Sequence, residues 1–252
     1  MEIMKTIREI QEEFARASEE EYENLYQKYQ GDHRKGVENL LKRYRKIQEK
    51  LEKEKHRIWQ MQEYERKYEH LGFLCGVDEA GRGPLAGPVV AAAVILPPGC
   101  QILYVNDSKK LTAKKREELY PVILREAVAV GVGSVGPERI DEINILQATY
   151  EAMREAIGNL SMEPQILLND AVNIPLIDIP QVPLIHGDAR SLSIAAASIV
   201  AKVTRDRLMV QYDKEMPQYG FAAHKGYGSA AHMEALKKYG PSPIHRRSFL
   251  KQ

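Results

Sequence analysis

The 252-residue chain is 44% hydrophobic and 28% charged, with a formal net charge of +1. Such a chain buries a sizeable core in one or two domains, is not of disordered or fibrous composition, and carries no overall charge to attract nucleic acid. Its apolar runs, Pro88 to Pro98 among the longest, are interrupted and too short to span a bilayer, and its acidic start has no apolar h-region, so a cytoplasmic protein without membrane contact is expected. Its two cysteines, Cys75 and Cys100, sit in apolar settings and are expected to be reduced and packed; no Cys-x-x-Cys pattern supports zinc.

Residues 1–70 read as a charged helical N-terminal extension, with two glycines (Gly31, Gly36) and no proline. A helical stretch is expected over Ile3 to Tyr29. After Gly31-Asp32 a long amphipathic helix follows, because Leu40, Leu41, Tyr44, Ile47, Leu51, Ile58 and Met61 recur at helical spacing. Its Lys42-Arg43-Arg45-Lys46 cluster is either an ordinary solvated face or a track for a phosphate backbone.

From residue 71 to 252 the pattern becomes that of a compact α/β domain with a C-terminal helical part. Phe73 to Val77 reads as a buried strand ending at Asp78-Glu79, and Val89 to Leu96 as a second. A third is expected through Ile102 to Val105. Thr112 suits the N-cap of a helix carrying Leu119, Val122, Ile123 and Ala127. Ala127 to Val135 reads as a strand, and Pro137 opens a helix with Ile140, Ile143, Leu146, Tyr150 and Met153 on one face. Ile166 to Leu168 forms a short strand before Asn169-Asp170, and Val182 to Ile185 another before Gly187-Asp188. Ser191 to Met209 and Met233 to Tyr239 read as helices. This irregular order predicts a mixed sheet flanked by helices.

The acids fall where the strands end. Asp78, Glu79, Asp170 and Asp188 each follow an apolar run, so one cleft can gather them. Carboxylates so gathered repel and raise one another's pKa unless a cation intervenes, and oxygen-only ligation suits Mg2+ or Mn2+. Two such ions about 4 Å apart serve phosphodiester hydrolysis. The plainer reading is that acids simply solvate strand ends. Neighbours on a regular strand face opposite ways, so Asp78 and Glu79 share a site only if the strand stops or twists; Gly81, Gly83 and Pro84 make an immediate stop plausible. The Gly81-Arg82-Gly83 turn either supplies permissive backbone or lets amides approach a phosphate or sugar, and it matches neither a Walker loop nor a dinucleotide fingerprint.

The segment Gly76-Val77-Asp78-Glu79-Ala80-Gly81-Arg82-Gly83-Pro84-Leu85-Ala86-Gly87-Pro88-Val89 closely resembles the opening motif of bacterial ribonuclease HII. Asn106 to Leu111 resembles that family's lysine-bearing loop. Gly187-Asp188 through Asp206 resembles its second acidic loop and following helix. Lys225-Gly226-Tyr227-Gly228, His232 and Tyr239 to Phe249 resemble its C-terminal signature. The resemblance covers about residues 72–250 and implies an RNase H-like fold. It implies an endonuclease that cleaves RNA in RNA–DNA hybrids and 5′ to single ribonucleotides embedded in duplex DNA. It places metal-binding and catalytic roles on Asp78, Glu79, Asp170 and Asp188, with Asp178 as the alternative third acid. Recognition of the ribonucleotide falls to Gly81, Arg82, Gly83 and Tyr227. That fits the chemistry, since only a contact to the 2′-OH tells RNA from DNA at one position. Tyr227 otherwise reads as a core tyrosine. Lys109 is the expected phosphate contact, ahead of Lys202 and Lys225. His224, His232 and His245 are expected to be structural, and Asp206 to serve packing or an ion pair. Ribonuclease HIII is the nearer alternative; a catalytically inert nucleic-acid adaptor is the more distant one.

Overall fold

The computed structural model describes residues 5–250, in two compact units: one ending at Arg57, the other beginning at Ile58. The first contains helices α1 (Ile7–Arg16) and α2 (Glu19–Tyr29), together with most of α3 (Lys35–Met61). The single helix expected from Ile3 to Tyr29 is therefore two, and Ile3 itself lies outside the described residues. The break has a local cause. Ala17 and Ser18 adopt extended ψ values of 144° and 165°, and Ser18 opens a new capping box in which its N–H donates to Glu21 Oε2 at 2.7 Å. Thr6 and Glu9 cap α1 in the same way. Ile10, Phe14, Tyr29, Val37, Leu40 and Leu41 form this unit's core, with Phe14 stacked on Tyr44 at 4.5 Å. Lys42, Arg43, Arg45 and Lys46 are exposed.

The second unit begins with the last turn of α3 and the short helix α4 (Glu63–Tyr68). Its sheet comprises β1 (Leu74–Ala80), β2 (Val89–Ile95), β3 (Ala129–Val135), β4 (Ile166–Asp170) and β5 (Gln181–Leu184), in the order β3-β2-β1-β4-β5. The β3/β2 and β2/β1 pairs are antiparallel, while β1/β4 and β4/β5 are parallel. This is the mixed sheet flanked by helices that the element order leads one to expect. Helix α5 (Ala113–Glu126) joins β2 to β3, and α6 (Pro137–Gly158) joins β3 to β4. Helix α7 (Leu192–Glu215) follows β5, then come α8 (Phe221–His224), α9 (Ala230–Tyr239) and α10 (Arg247–Leu250).

Small residues let two helices seat directly on the sheet. A Cβ on Gly76 of β1 would lie 2.1 Å from the Ser193 carbonyl carbon of α7. On the opposite face, Cβ atoms on Gly131 and Gly133 would fall 2.0 and 2.1 Å from the Ala156 and Ala152 oxygens of α6. The α7 face packs Ala92 and Val94 against Ala195 to Ala197, with Ile58 and Met61 buried in the same cluster. The α6 face packs Val77, Ala91 and Ala93 against Ala152, Met153 and Ala156.

Three further elements differ from the expected pattern. Residues Ile102 to Val105 form turns rather than a strand, because Tyr104 takes a left-handed φ of 68° while Ile102 and Val105 are drawn into the core. Strand β1 does not stop at Asp78-Glu79 but continues to Ala80, since β2 supplies partners for all three residues. Helix α7 runs past Met209 to Glu215. Both cysteines are free and buried. Among the described residues no helix is long and apolar enough to cross a membrane.

Candidate active site

The parallel half of the sheet gathers the acids. The last β1/β4 pair is Val77 with Asn169, so Asp78 and Asp170 are the next residues on adjacent strands. Asp170 in turn pairs with Leu184 of β5, four residues before Asp188. All lie at carboxyl ends of parallel strands, where open α/β sheets form their crevices. Within β1, Asp78 pairs with Ala92, which packs on the α7 face, while Glu79 pairs with Ala91, which packs on the α6 face. Regular alternation thus holds, yet Asp170 lies within Coulombic range of both carboxyls. Asp78 and Glu79 also feel one another's charge directly, so the two share a site without a break in β1.

The electrostatics are those of crowded negative charge. Burial raises Asp78 well above the usual carboxylate range, and the charges of Glu79 and Asp170 add to the effect, against a hydrogen bond from Ser198. Burial also raises Glu79, with Arg82 opposing. Asp188 is pushed up to about 6, by burial first and then by Asp107 and Asp170. Lys109 shows the counterpart. Partial burial pulls it down, but Asp78, Asp107, Asp188 and Asp170 outweigh that, and its pKa is raised. Asp178 is exposed in the loop before β5 and contributes to none of these shifts.

Three of the four carboxylates have a local donor. Asp170 Oδ1 accepts from Gly187 N at 2.7 Å, Glu79 Oε1 from Arg82 at 3.4 Å, and Asp78 Oδ1 from Glu79 N at 2.8 Å. Held this way, no group of three or more His, Cys, Asp or Glu side chains among the described residues is placed to hold one metal ion. The donor chemistry still fits a hard divalent cation: it is all oxygen, with an excess of negative charge and one lysine against it.

Beside the acids, the Gly81-Arg82-Gly83 turn hangs on two buried arginines. Arg246 donates to the carbonyls of Gly81, Arg82 and Gly87, and Arg205 to those of Pro88, Lys225 and Ala86. Gly81 has φ of 94°, and a Cβ there would lie 2.0 Å from Arg205 Nε, so this position requires glycine. The turn and Tyr227 meet: a Cβ on Gly83 would lie 3.9 Å from Tyr227 Cε1. Tyr227 is 45% exposed and so is no core tyrosine. Its backbone is fixed by a histidine relay. Ser242 N–H donates to His245 Nδ1 at 2.9 Å, His245 Nε2 meets His232 Nε2 at 2.9 Å, and His232 Nδ1 meets the Tyr227 carbonyl at 2.9 Å. Donor supply permits one order: His245 Nε2–H donates to His232, whose Nδ1–H donates to Tyr227. The histidines are structural. Lys202 is paired with Asp206 at 2.8 Å, and Lys225 Nζ is turned back to the Ala222 carbonyl, leaving Lys109 as the lysine among the acids.

Comparison with known proteins decides the family. The profile of Ribonuclease HII matches residues 75–252, and that of the Ribonuclease HII N-terminal domain matches residues 6–69. The chain belongs to the ribonuclease HII family. It is a type 2 ribonuclease H, a nuclease. The ribonuclease HII of Lachnoclostridium phytofermentans is 60% identical over 245 residues, covering 97% of this chain and 96% of that one. The crystal structure of ribonuclease H2 from Pyrococcus horikoshii OT3 matches with a TM-score of 0.57 at 29% identity, over 70% of this chain and 93% of that one. Bst-RNase HIII in complex with Mn2+ shares the fold at a TM-score of 0.54 and 18% identity, over 71% of this chain and 67% of that one.

Several residues of this family member's site escaped the sequence reading. Asp107 lies in a segment noted for its lysine, yet its charge beside Asp188 helps push that carboxyl's pKa up. Ser108 and Ser198, 90 positions apart, meet hydroxyl to hydroxyl at 2.8 Å and tie the Lys109 loop to Asp78. Arg205 and Arg246 have no role assigned in the sequence, and only their burial reveals them as props of the glycine turn.

Proposed function

We propose that this nuclease cleaves the RNA strand of RNA–DNA hybrids and incises duplex DNA 5′ to a single embedded ribonucleotide. The observation that carries the reading is the adjacency of two groups. Four carboxylates gather at the ends of β1 and β4 and beyond β5, with burial raising the pKa of Asp78, Glu79 and Asp188, and beside them stands a glycine–arginine–glycine turn paired with an exposed tyrosine. Asp78, Glu79, Asp170 and Asp188 would hold Mg2+ or Mn2+ once their side chains rotate out of their present local bonds. Bound there, one or two divalent ions would supply Lewis-acid assistance to phosphodiester hydrolysis.

The chain's own residues do the selecting. Gly81 and Gly83 have no side chains to keep a sugar at a distance, and Arg82 places its charge beside them. The Tyr227 ring closes the other side, where its hydroxyl can meet a 2′-OH and its face a sugar. Lys109 sits among the acids to draw in a phosphate. The test is cleavage of three duplexes in Mg2+, in Mn2+ and in chelator: all-DNA, DNA with one ribonucleotide, and an RNA–DNA hybrid. Metal-dependent incision 5′ to the ribonucleotide, with the all-DNA duplex intact, is expected. Failure to cut either RNA-containing duplex would overturn the reading.

A further inference from the structure

A carboxylate on α4 grips the start of α7. Glu65 Oε1 accepts from Ser191 Oγ at 2.6 Å, and from Ser193 N and Ser193 Oγ at 2.9 Å each. Ser191 is the N-cap of α7, and its Oγ also accepts from Ile194 N at 3.2 Å. Next to Glu65, Tyr64 makes a second contact: its hydroxyl accepts from the Arg190 guanidinium, which lies 5.0 Å from the ring centroid. Arg190 and Ser191 are two and three residues past Asp188, and their N–H groups close onto Gly187 O at 2.9 and 2.8 Å. The turn that carries Asp188 is therefore anchored from α4 at two successive residues.

An acid at a helix N-terminus is ordinary. This one differs in its setting, because Glu65 Oε2 is buried with no partner. A surface acid would cap α7 without that desolvation cost, whereas a buried one has a fixed position and passes it to whatever it holds. What it holds leads directly into the Asp188 turn. The same turn enters with His186 at a left-handed φ of 56°, a conformation that persists only when its surroundings enforce it.

We infer that Glu65 is a positioning residue for Asp188, with Tyr64 as the second anchor, so that α4 is a working part of the catalytic centre. The inference rests on Asp188 being a ligand of the divalent ion. The test uses the full chain with Glu65→Leu, which removes the acceptor, Glu65→Gln, which keeps it, and Tyr64→Phe. Direct Mn2+ binding by titration calorimetry and hydrogen exchange of the 186–193 segment are read alongside cleavage. Glu65→Leu is expected to weaken Mn2+ binding about tenfold, to raise the Mn2+ concentration for half-maximal cleavage in step, and to speed exchange locally. Glu65→Gln should stay near wild type. The metal midpoint does not depend on the fraction of active molecules, so partial misfolding does not mimic the result. Should Glu65→Leu fail to fold, Tyr64→Phe carries the test with the same direction of change. Unaltered Mn2+ affinity in the folded variants, or Glu65→Gln as impaired as Glu65→Leu, overturns the inference. Wild-type Mn2+ binding by Asp188→Asn would instead overturn the assignment of Asp188.

Discussion

Replacing Asp188 by Asn should abolish cleavage and yet stabilise the protein when divalent ions are chelated. The carboxyl rises from 3.8 to about 6 through burial and the charges of Asp107 and Asp170. At 1.36 kcal/mol per pKa unit, that rise corresponds to about 3 kcal/mol of unfavourable ionisation, a ceiling because the neighbours share the repulsion. About 1–2 kcal/mol should return on substitution, a rise in Tm of roughly 2–8 °C for a chain of this size. The direction with pH follows from the folded pKa lying above the unfolded one. Ionised Asp188 burdens the fold fully above about pH 6, and the burden is gone below 3.8. Melting curves in chelator should therefore differ at pH 7.5 and converge toward pH 4.5. In Mg2+ the order should reverse, because only the wild type gains from binding the ion. An Asp188→Asn protein that melts at or below the wild-type temperature in chelator at pH 7.5 would refute the electrostatic account.

Tyr227→Ala should lower kcat/KM on the single-ribonucleotide duplex by about 100-fold or more while leaving Mn2+ binding unchanged, since it would remove the proposed ribose contact and no carboxylate; equal loss of ion binding would count against it. Gly81→Ala should cost about 2–3 kcal/mol, from the strain of φ 94° plus displacement of Arg205, measured by denaturant unfolding. Removing residues 1–57 should preserve metal-dependent cleavage but give a shallower salt dependence of duplex binding, if the exposed Lys42-Arg43-Arg45-Lys46 stretch meets phosphates. Removing 1–69 should instead impair folding and chemistry, because Ile58 and Met61 are core residues and Glu65 is lost, together worth several kcal/mol at about 2 kcal/mol per buried side chain; two truncations of equal activity would contradict this.

How much of this was legible in the sequence depends on the distance over which each feature is determined. Thr112 as a helix cap and Pro137 as a helix start are local facts, and both stand where the residue pattern put them. The strands carrying Asp78 and Asp170 were visible as apolar runs between breakers. The limit of β1 was not, because Ala80 is held in the ladder by Val90 of β2 and not by its own neighbours. Ile102 to Val105 misled for the reverse reason: its hydrophobicity reflects burial of Ile102 and Val105 in the core cluster that α5 and α7 share, with no strand alongside to pair it. The contacts of Glu65 with Ser191 and of Arg246 with the glycine turn span more than a hundred residues, and no local pattern encodes them.

The bare carbon of Gly76 has one more consequence. It lies two residues before Asp78, and against it rests the peptide that joins Ser193 to Ile194, five residues beyond Asp188. The spacing between the first and last acids is thus gauged by main chain against main chain. Side chains of changing shape elsewhere in the core can be exchanged without altering that gauge. A single methyl added at Gly76 would wedge strand from helix and move both acids apart, far more than its volume suggests.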